Sequence, residues 1–200
     1  MILEVCVDSL ASASAAIRGG ADRLERCSAL AIGGLTPYGA LLTQIRQESD
    51  IPIRCLMRPR AGDFLYTAEE ISMMAAQIHN LRKLGADGFV IGCLNPDGDL
   101  DGNTMAPLLD AAHGCGLTLH RFIDVSRNLQ ETYLRAAELG FDTVLTSGGA
   151  ANCYAGKENI AALIELRDQK MVRRCSSVPV STVKSSPPSA RSCPMSTLFT

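Results

Sequence analysis

Two cysteines and a small set of charged residues carry the chemistry open to this sequence. Cys6 and Cys27 stand in the runs Glu4-Val5-Cys6-Val7-Asp8 and Arg23-Leu24-Glu25-Arg26-Cys27. In an extended strand alternate side chains share a face. Glu4, Cys6 and Asp8 therefore fall on one face, and Arg23, Glu25 and Cys27 on another. If the two strands are neighbours, about 4.8 Å apart, thiolates at similar height could bridge one soft ion. Thiolates select Cu(I) or zinc over hard cations, and two sulfurs are too few for a closed tetrahedral zinc site. The competing reading makes both residues small core thiols, the commonest fate of free cysteine.

A second constellation points to acid/base chemistry. Glu25, His120 and Asp124 are candidate catalytic groups, with Arg58, Arg60, Glu4 and Asp8 as candidate substrate-binding groups. Crowded carboxylates raise one another's pKa values and arginines lower them. A histidine beside them is a workable general acid or base, and arginines at a strand end could grip a phosphate or carboxylate. The substrate would be a small polar metabolite, sugar-like or anionic. The competing reading is a buried ion-pair network filling a polar interior. His79 and His113 sit on expected helices and read as solvated. Asp97-Gly98-Asp99-Leu100-Asp101 lacks the ligand series of a calcium loop and reads as a turn.

Composition narrows the surroundings. The chain has 200 residues, 46% of them apolar and 20% charged, with a net charge of −2. That is a soluble globular composition with no electrostatic reason to expect nucleic acid or an anionic membrane as partner. No apolar run approaches the ~20 residues of a membrane span. The start, Met-Ile-Leu-Glu-Val-Cys-Val-Asp, reads as a strand and not a signal peptide, so a cytoplasmic location is expected. The 8 cysteines form no Cys-x-x-Cys pair, and in a reducing compartment they read as thiols or soft-metal ligands.

The elements that must position these residues alternate strand and helix. Strands are expected at 2–8, 23–28, 51–58, 88–93, 117–124 and 143–147, with a seventh beginning at Met171-Val172. Helices are expected after Ser9, after Thr36-Pro37, after the capping box Thr67-Ala68-Glu69-Glu70, and over 105–112, 129–139 and 159–166. A repeated phrase supports the phasing. Gly19-Gly20-Ala21-Asp22, Leu84-Gly85-Ala86-Asp87 and Leu139-Gly140-Phe141-Asp142 each join a helix end to an even-numbered strand, the glycine suiting the left-handed position that stops a helix.

Sequential strand–helix–strand units give a parallel sheet. No Gly-x-Gly-x-x-Gly follows the first strand, so no nucleotide cofactor is indicated. A parallel strand buried on both faces should be apolar throughout. Here polar groups occupy one face, including Thr118, His120 and Asp124 in the fifth strand, with Phe122 aligned among them. That pattern suits a barrel interior with its site at the C-terminal ends of the strands. The expected fold is an α/β TIM-type (β/α) barrel of about six βα units over residues 1–170, incomplete because a full barrel takes about 250 residues.

Several stretches resemble the CutC family, proteins named for copper homeostasis: Glu4–Ser9, Gly20–Ser28, Gly33-Gly34-Leu35-Thr36-Pro37, Arg58-Pro59-Arg60-Ala61-Gly62-Asp63-Phe64-Leu65-Tyr66, His120–Asp124 and Val144–Gly149. The resemblance runs in unbroken order to about residue 170. It implies a TIM-type barrel, a cytoplasmic location and a link to Cu(I), and it strengthens Cys6 and Cys27 as metal ligands. Departures are visible. Arg26 stands where the family has leucine, Arg54 where it has an apolar residue and Ala61 where it has glycine. His-Arg-Ala-Phe-Asp has become His120-Arg121-Phe122-Ile123-Asp124. By alternation Arg26 faces the strand–helix layer, where a charge without a partner is costly.

Residues 171–200 hold no Asp or Glu but do hold Arg173, Arg174, Lys184 and Arg191, leaving residues 1–170 at a net −6. This Ser/Pro/Arg-rich tail reads as a disordered extension or as out-of-frame sequence, and the resemblance favours the second. It is expected to supply at most one poor strand, around Val178–Val183, and no strand–helix pair. The barrel would then stay open; its exposed edges would favour aggregation, and its exposed apolar surface would invite homo-oligomers.

Overall fold

Three copies of one backbone clamp hold the fold together. The computed structural model describes residues 2–171, 180–184 and 197–199. In it Gly20, Gly85 and Gly140 have φ of +86°, +99° and +85°, the left-handed turn their sequence phrase implied. Two residues later comes an aspartate in each copy. Asp22, Asp87 and Asp142 accept the backbone N–H of Leu3, Ile53 and Leu117 at 2.7, 2.7 and 2.8 Å. Their own N–H groups donate back to the carbonyls of the same three residues at 2.8, 2.9 and 3.0 Å. Each aspartate thus ties the start of one strand to the next.

Between the clamps run six βα units: β1 (Leu3–Val7), α1 (Leu10–Arg18), β2 (Arg23–Arg26), α2 (Gly39–Glu48), β3 (Ile53–Leu56), α3 (Ala68–Lys83), β4 (Gly88–Ile91), α4 (Gly102–Ala111), β5 (Gly116–Leu119), α5 (Leu129–Glu138), β6 (Thr143–Thr146) and α6 (Lys157–Met171). Neighbouring strands pair in parallel from β1 to β6. This is the TIM-type arrangement expected from the polar inner faces. Ser9 and Thr67 cap α1 and α3 with full capping boxes. α2 starts later than expected: Thr36 accepts the Arg58 N–H at 2.8 Å instead of capping a helix, and Tyr38 precedes the first turn. Asp97–Asp101 is a turn, closed by Asn95 Oδ1 on the N–H groups of Asp97 and Asp99. No helix among the described residues is long and apolar enough to cross a membrane.

The tail departs from expectation. Met171 ends α6 rather than opening a strand, and two short strands follow, β7 (Val180–Lys184) and β8 (Thr197–Phe199). β7 pairs in parallel with β6, while β8 pairs antiparallel with both β7 and β1, which closes the ring. The physical reason lies in the edges: unpaired N–H and C=O groups on β1 and β6 template any extended segment within reach. Val180-Ser181-Thr182-Val183 is rich in β-branched residues, and Pro179 precedes the strand, where a missing N–H costs nothing. Among the described residues there are six βα units. With both edges paired, the argument for aggregation from open edges falls. The disorder or frame shift expected for the remainder of 172–200 lies outside the described residues.

The apolar layer sits outside the ring. Val5, Val7, Leu24, Ile53, Phe89 and Ile91 face helix residues such as Leu42, Ile45, Met74 and Ile78, all buried in one core. Arg26 points into this layer, 2% exposed. Its guanidinium reaches the Cys27 carbonyl, its Nε has no partner, and it forms no ion pair among the described residues.

Two outcomes follow. Arg26→Leu removes an uncompensated buried charge and should raise the urea midpoint by the equivalent of about 1–3 kcal/mol. Asp22→Ala, Asp87→Ala and Asp142→Ala should each lower stability by about 1 kcal/mol, a loss of about 2–4 °C in Tm per site. Asparagine, which keeps an acceptor, should restore part of each loss in thermal melts.

Candidate metal centre and barrel cavity

The register fixed by the first clamp sets Cys6 opposite Glu25 across β1 and β2. Since Val5, Val7 and Leu24 face the helices, Glu4, Cys6, Arg23 and Glu25 face the interior. Cys27, just past the end of β2, follows the same parity. One carboxylate then spans two thiols. Cys6 Sγ donates to Glu25 Oε2 at 3.3 Å and Cys27 Sγ to Oε1 at 3.6 Å. One donor atom from each of Cys6, Glu25 and Cys27 lies within 4.8 Å of the others. Below them Glu4 is ion-paired with Arg23.

Burial governs the protonation of this cluster. The Cys6 thiol is pushed well up by its hydrogen bond with Cys27, by burial and by the Glu25 charge. For Cys27 the hydrogen bond from Cys6 pulls down, but burial and Glu25 outweigh it and the net direction is up. Burial and the nearby Glu4 charge raise Glu25 to about 7, against the pull of the two thiol hydrogen bonds. Without a metal, the thiols stay protonated at neutral pH. Cys55 and Cys93 lie in the outer apolar layer, where burial pushes both thiols up to about 12. Cys175 and Cys193 fall outside the described residues.

The cluster forms one side of a cavity of about 430 Å³ at the C-terminal ends of the strands. His120, just beyond β5, forms the opposite side. Its Nδ1 accepts the Phe122 N–H at 3.3 Å, which puts the imidazole proton on Nε2. Phe64 and Phe122 flank the ring at 5.0 and 5.3 Å. Burial and the Arg58 charge hold the His120 pKa down to about 3. Gly92 makes room for this stack: a Cβ there would overlap the Phe122 ring and sit 3.2 Å from His120 Cε1.

The expected site residues divide into two groups. Cys6, Glu25, Cys27, Arg58 and His120 meet at the cavity, with Glu4 beneath. Arg58 is largely committed to the loops, donating to the carbonyls of Ile32, Gly34 and Gly62 at 3.0, 3.1 and 3.2 Å. Arg60 turns away, paired with Glu70 at 2.7 Å and Asp63 at 3.0 Å. Asp8 is exposed at the end of β1. Asp124 leaves the expected inner face because the chain turns into a short 3-10 helix, Arg121–Val125, where strand parity ends. Its carboxylate accepts from Thr146 Oγ1 and from the backbone of Ser147 and Gly149. Burial alone would raise it, but these hydrogen bonds and Arg121 hold it low. The cavity also takes Leu56, Phe64, Arg121 and Leu145, which the search for chemically active residues passed over. Only Leu56 and Leu145 could have been found, from strand parity.

Fold and site together define a (β/α) barrel with a soft-donor cluster at its mouth. The chain belongs to the CutC family, whose family model matches residues 1–177. A family protein CutC from Caulobacter vibrioides is 43% identical over 171 residues, covering 86% of this chain and 69% of the relative. One from Agrobacterium fabrum is 42% identical over 172 residues, covering 86% and 68%. Among solved structures, the putative copper homeostasis protein CutC from Streptococcus agalactiae matches with a TM-score of 0.79 and 28% identity over 85% of each chain. A putative phosphonomutase from Burkholderia cenocepacia shares the fold alone, with a TM-score of 0.56 and 20% identity over 90% of this chain and 76% of that one.

The two shifted groups pull stability in opposite directions with pH. Glu25 binds its proton more tightly when folded, so its contribution is present below its ordinary value of 4.5 and is lost as pH rises to about 7. His120 binds its proton less tightly when folded, so its contribution is present above its ordinary value of 6.5 and is lost as pH falls toward about 3. Between pH 4.5 and 6.5 the slopes oppose one another. Urea unfolding across that window should show Glu25→Gln gaining stability as pH rises and His120→Gln losing it.

Proposed function

We propose that this protein binds Cu(I) as cargo through Cys6 and Cys27 and serves copper homeostasis in the cytoplasm. One observation carries the reading: Cys6 Sγ, a Glu25 oxygen and Cys27 Sγ lie within 4.8 Å of one another on the wall of a cavity. Two thiolates suit a soft monovalent ion. Glu25, which already accepts from both thiols, orients them and stands ready as a third, harder donor. Membership of the CutC family and the printed name of the Streptococcus agalactiae relative, a putative copper homeostasis protein, support it. The cytoplasmic assignment rests on six free thiols among the described residues, which a reducing compartment maintains.

A second reading, acid/base chemistry on a small polar metabolite, is favoured by Glu25 alone, whose pKa near 7 suits a general base. His120 is held neutral and Asp124 is committed to the loop after β6, so the three do not form a relay. In this reading Arg58 contacts the metabolite, Arg60 and Glu4 keep the ion pairs described above, and Asp8 stands exposed at the end of β1.

Competition between the protein and a Cu(I) chelator tests the first reading. The Cys6→Ala, Cys27→Ala double variant should lose the bound ion. Glu25→Gln should keep one ion per chain and bind it about 10–100-fold more weakly, as expected for a group that orients metal ligands. Unchanged stoichiometry and affinity in the double variant would remove these cysteines as ligands.

A further inference from the structure

The cavity is much larger than its metal cluster requires. A bound ion fills less space than one water, whose share of liquid volume is about 30 Å³. The cavity holds about 430 Å³, within the range of small-molecule sites. Its two sides also differ in chemistry. Cys6, Glu25 and Cys27 come from β1 and β2, whereas His120 and Arg121 come from the end of β5. In the closed ring of eight strands, β5 lies opposite β1. The soft donors and the second set therefore face each other across the barrel.

Part of the donor capacity around this second set is unused: among the described residues the buried His120 Nε2–H and Arg58 Nε–H have no hydrogen-bond partner, while the rest of Arg58 is committed to the loops. A buried donor left unmade costs about 1–3 kcal/mol, so a ligand acceptor reaching either one would recover that loss. Arg121 lines the same side and is half-exposed, with its Nε on Asp124 and one terminal nitrogen on Ser147 Oγ at 2.7 Å. Two arginines and a neutral N–H donor suit a carboxylate. Between the two sides lie Leu56, Phe64 and Leu145, which suit a short apolar link.

The geometry points to a small thiol bearing a carboxylate as the molecule that brings Cu(I) into this cavity, its sulfur at Cys6 and Cys27 and its carboxylate at His120, Arg58 and Arg121. The inference rests on the copper reading above. Two protein sulfurs leave Cu(I) free to keep the carrier sulfur as a third ligand, so a ternary complex forms before the carrier departs. In the transfer, Cu–S bonds form to Cys6 and Cys27 and the Cu–S bond to the carrier breaks. One cysteine proton leaves on the carrier as its thiol and the other leaves to water. Copper stays Cu(I), and no electron moves.

The test compares two probes that differ at one end, 3-mercaptopropionate and 2-mercaptoethanol, each supplied as its Cu(I) complex to the full chain under anaerobic conditions. Binding is read by copper and probe content after gel filtration and by titration. With the column equilibrated in the probe, so that the ternary complex is not depleted by carrier departure, the carboxylate probe should elute with the protein and copper at one probe per ion and bind at least about tenfold more tightly, equal to about 1.4 kcal/mol. Arg121→Gln should shrink that preference and Arg121→Lys, which keeps the charge, should retain most of it. His120→Phe, an apolar ring of similar size, should reduce it independently. Equal binding of the two probes would overturn the inference, as would a preference that persists in both Arg121→Gln and His120→Phe. The cysteine double variant separates the failures. If it still binds copper, the copper reading itself is wrong. If copper depends on the cysteines but carboxylate is not preferred, only the carrier is wrong.

Discussion

The reciprocal clamp between an aspartate and the strand beside it is the contact on which the remaining geometry depends. A parallel pair has no hairpin to set its register, and a one-residue slip sends every side chain to the other face. Asp22 removes that freedom for β1 and β2 with two hydrogen bonds to a single residue, Leu3. Once Leu3 is fixed, Cys6 must stand opposite Glu25, and Cys27 must rise beside them. The Cys6–Glu25–Cys27 cluster is thus a consequence of a contact at the other end of the strand. Asp87 and Asp142 do the same for the next two pairs, and through Leu117 the last of them sets the height of His120.

Inside the ring, charge is handled by pairing and by neutralisation. Glu4 and Arg23 pair, and Arg54 is held by Asp142 at 2.7 Å and by Thr118. Among the described residues Glu25 forms no ion pair, and it sits between two thiols that hold their protons. In the copper reading proposed above, a soft cation resolves that arrangement, since two thiolates formed on binding would have a positive charge between them. By contrast Arg26, one residue away and facing the other layer, is met only by a carbonyl.

The sequence made the inner face readable because strand parity is a property of the backbone alone. Cys6, Glu25 and Cys27 follow from counting by twos, and the three clamp phrases follow from the glycine that only a left-handed turn explains. Parity stopped informing where the strand stopped. The fifth strand ends at Leu119, so counting on to Asp124 placed that residue in the cavity, while a 3-10 turn carries it to the loop after β6. Arg60 was lost for a related reason: in the loop after β3 its direction is set by Glu70 on α3, a partner ten residues away that no periodicity announces. Closure by β7 and β8 was missed because composition describes a segment by itself, whereas the edges of β1 and β6 supply the partner.

Gly92 offers another view of the cavity. The His120–Phe122 stack rests against a residue just past β4 that carries no methyl group. Width is therefore a heritable quantity encoded at a position with no functional group. A side chain there would overlap the Phe122 ring and force it to move, and the His120 imidazole, 3.2 Å away, would have to give with it. Position 92 therefore shapes the cavity from the wall across from the Cys6–Glu25–Cys27 cluster.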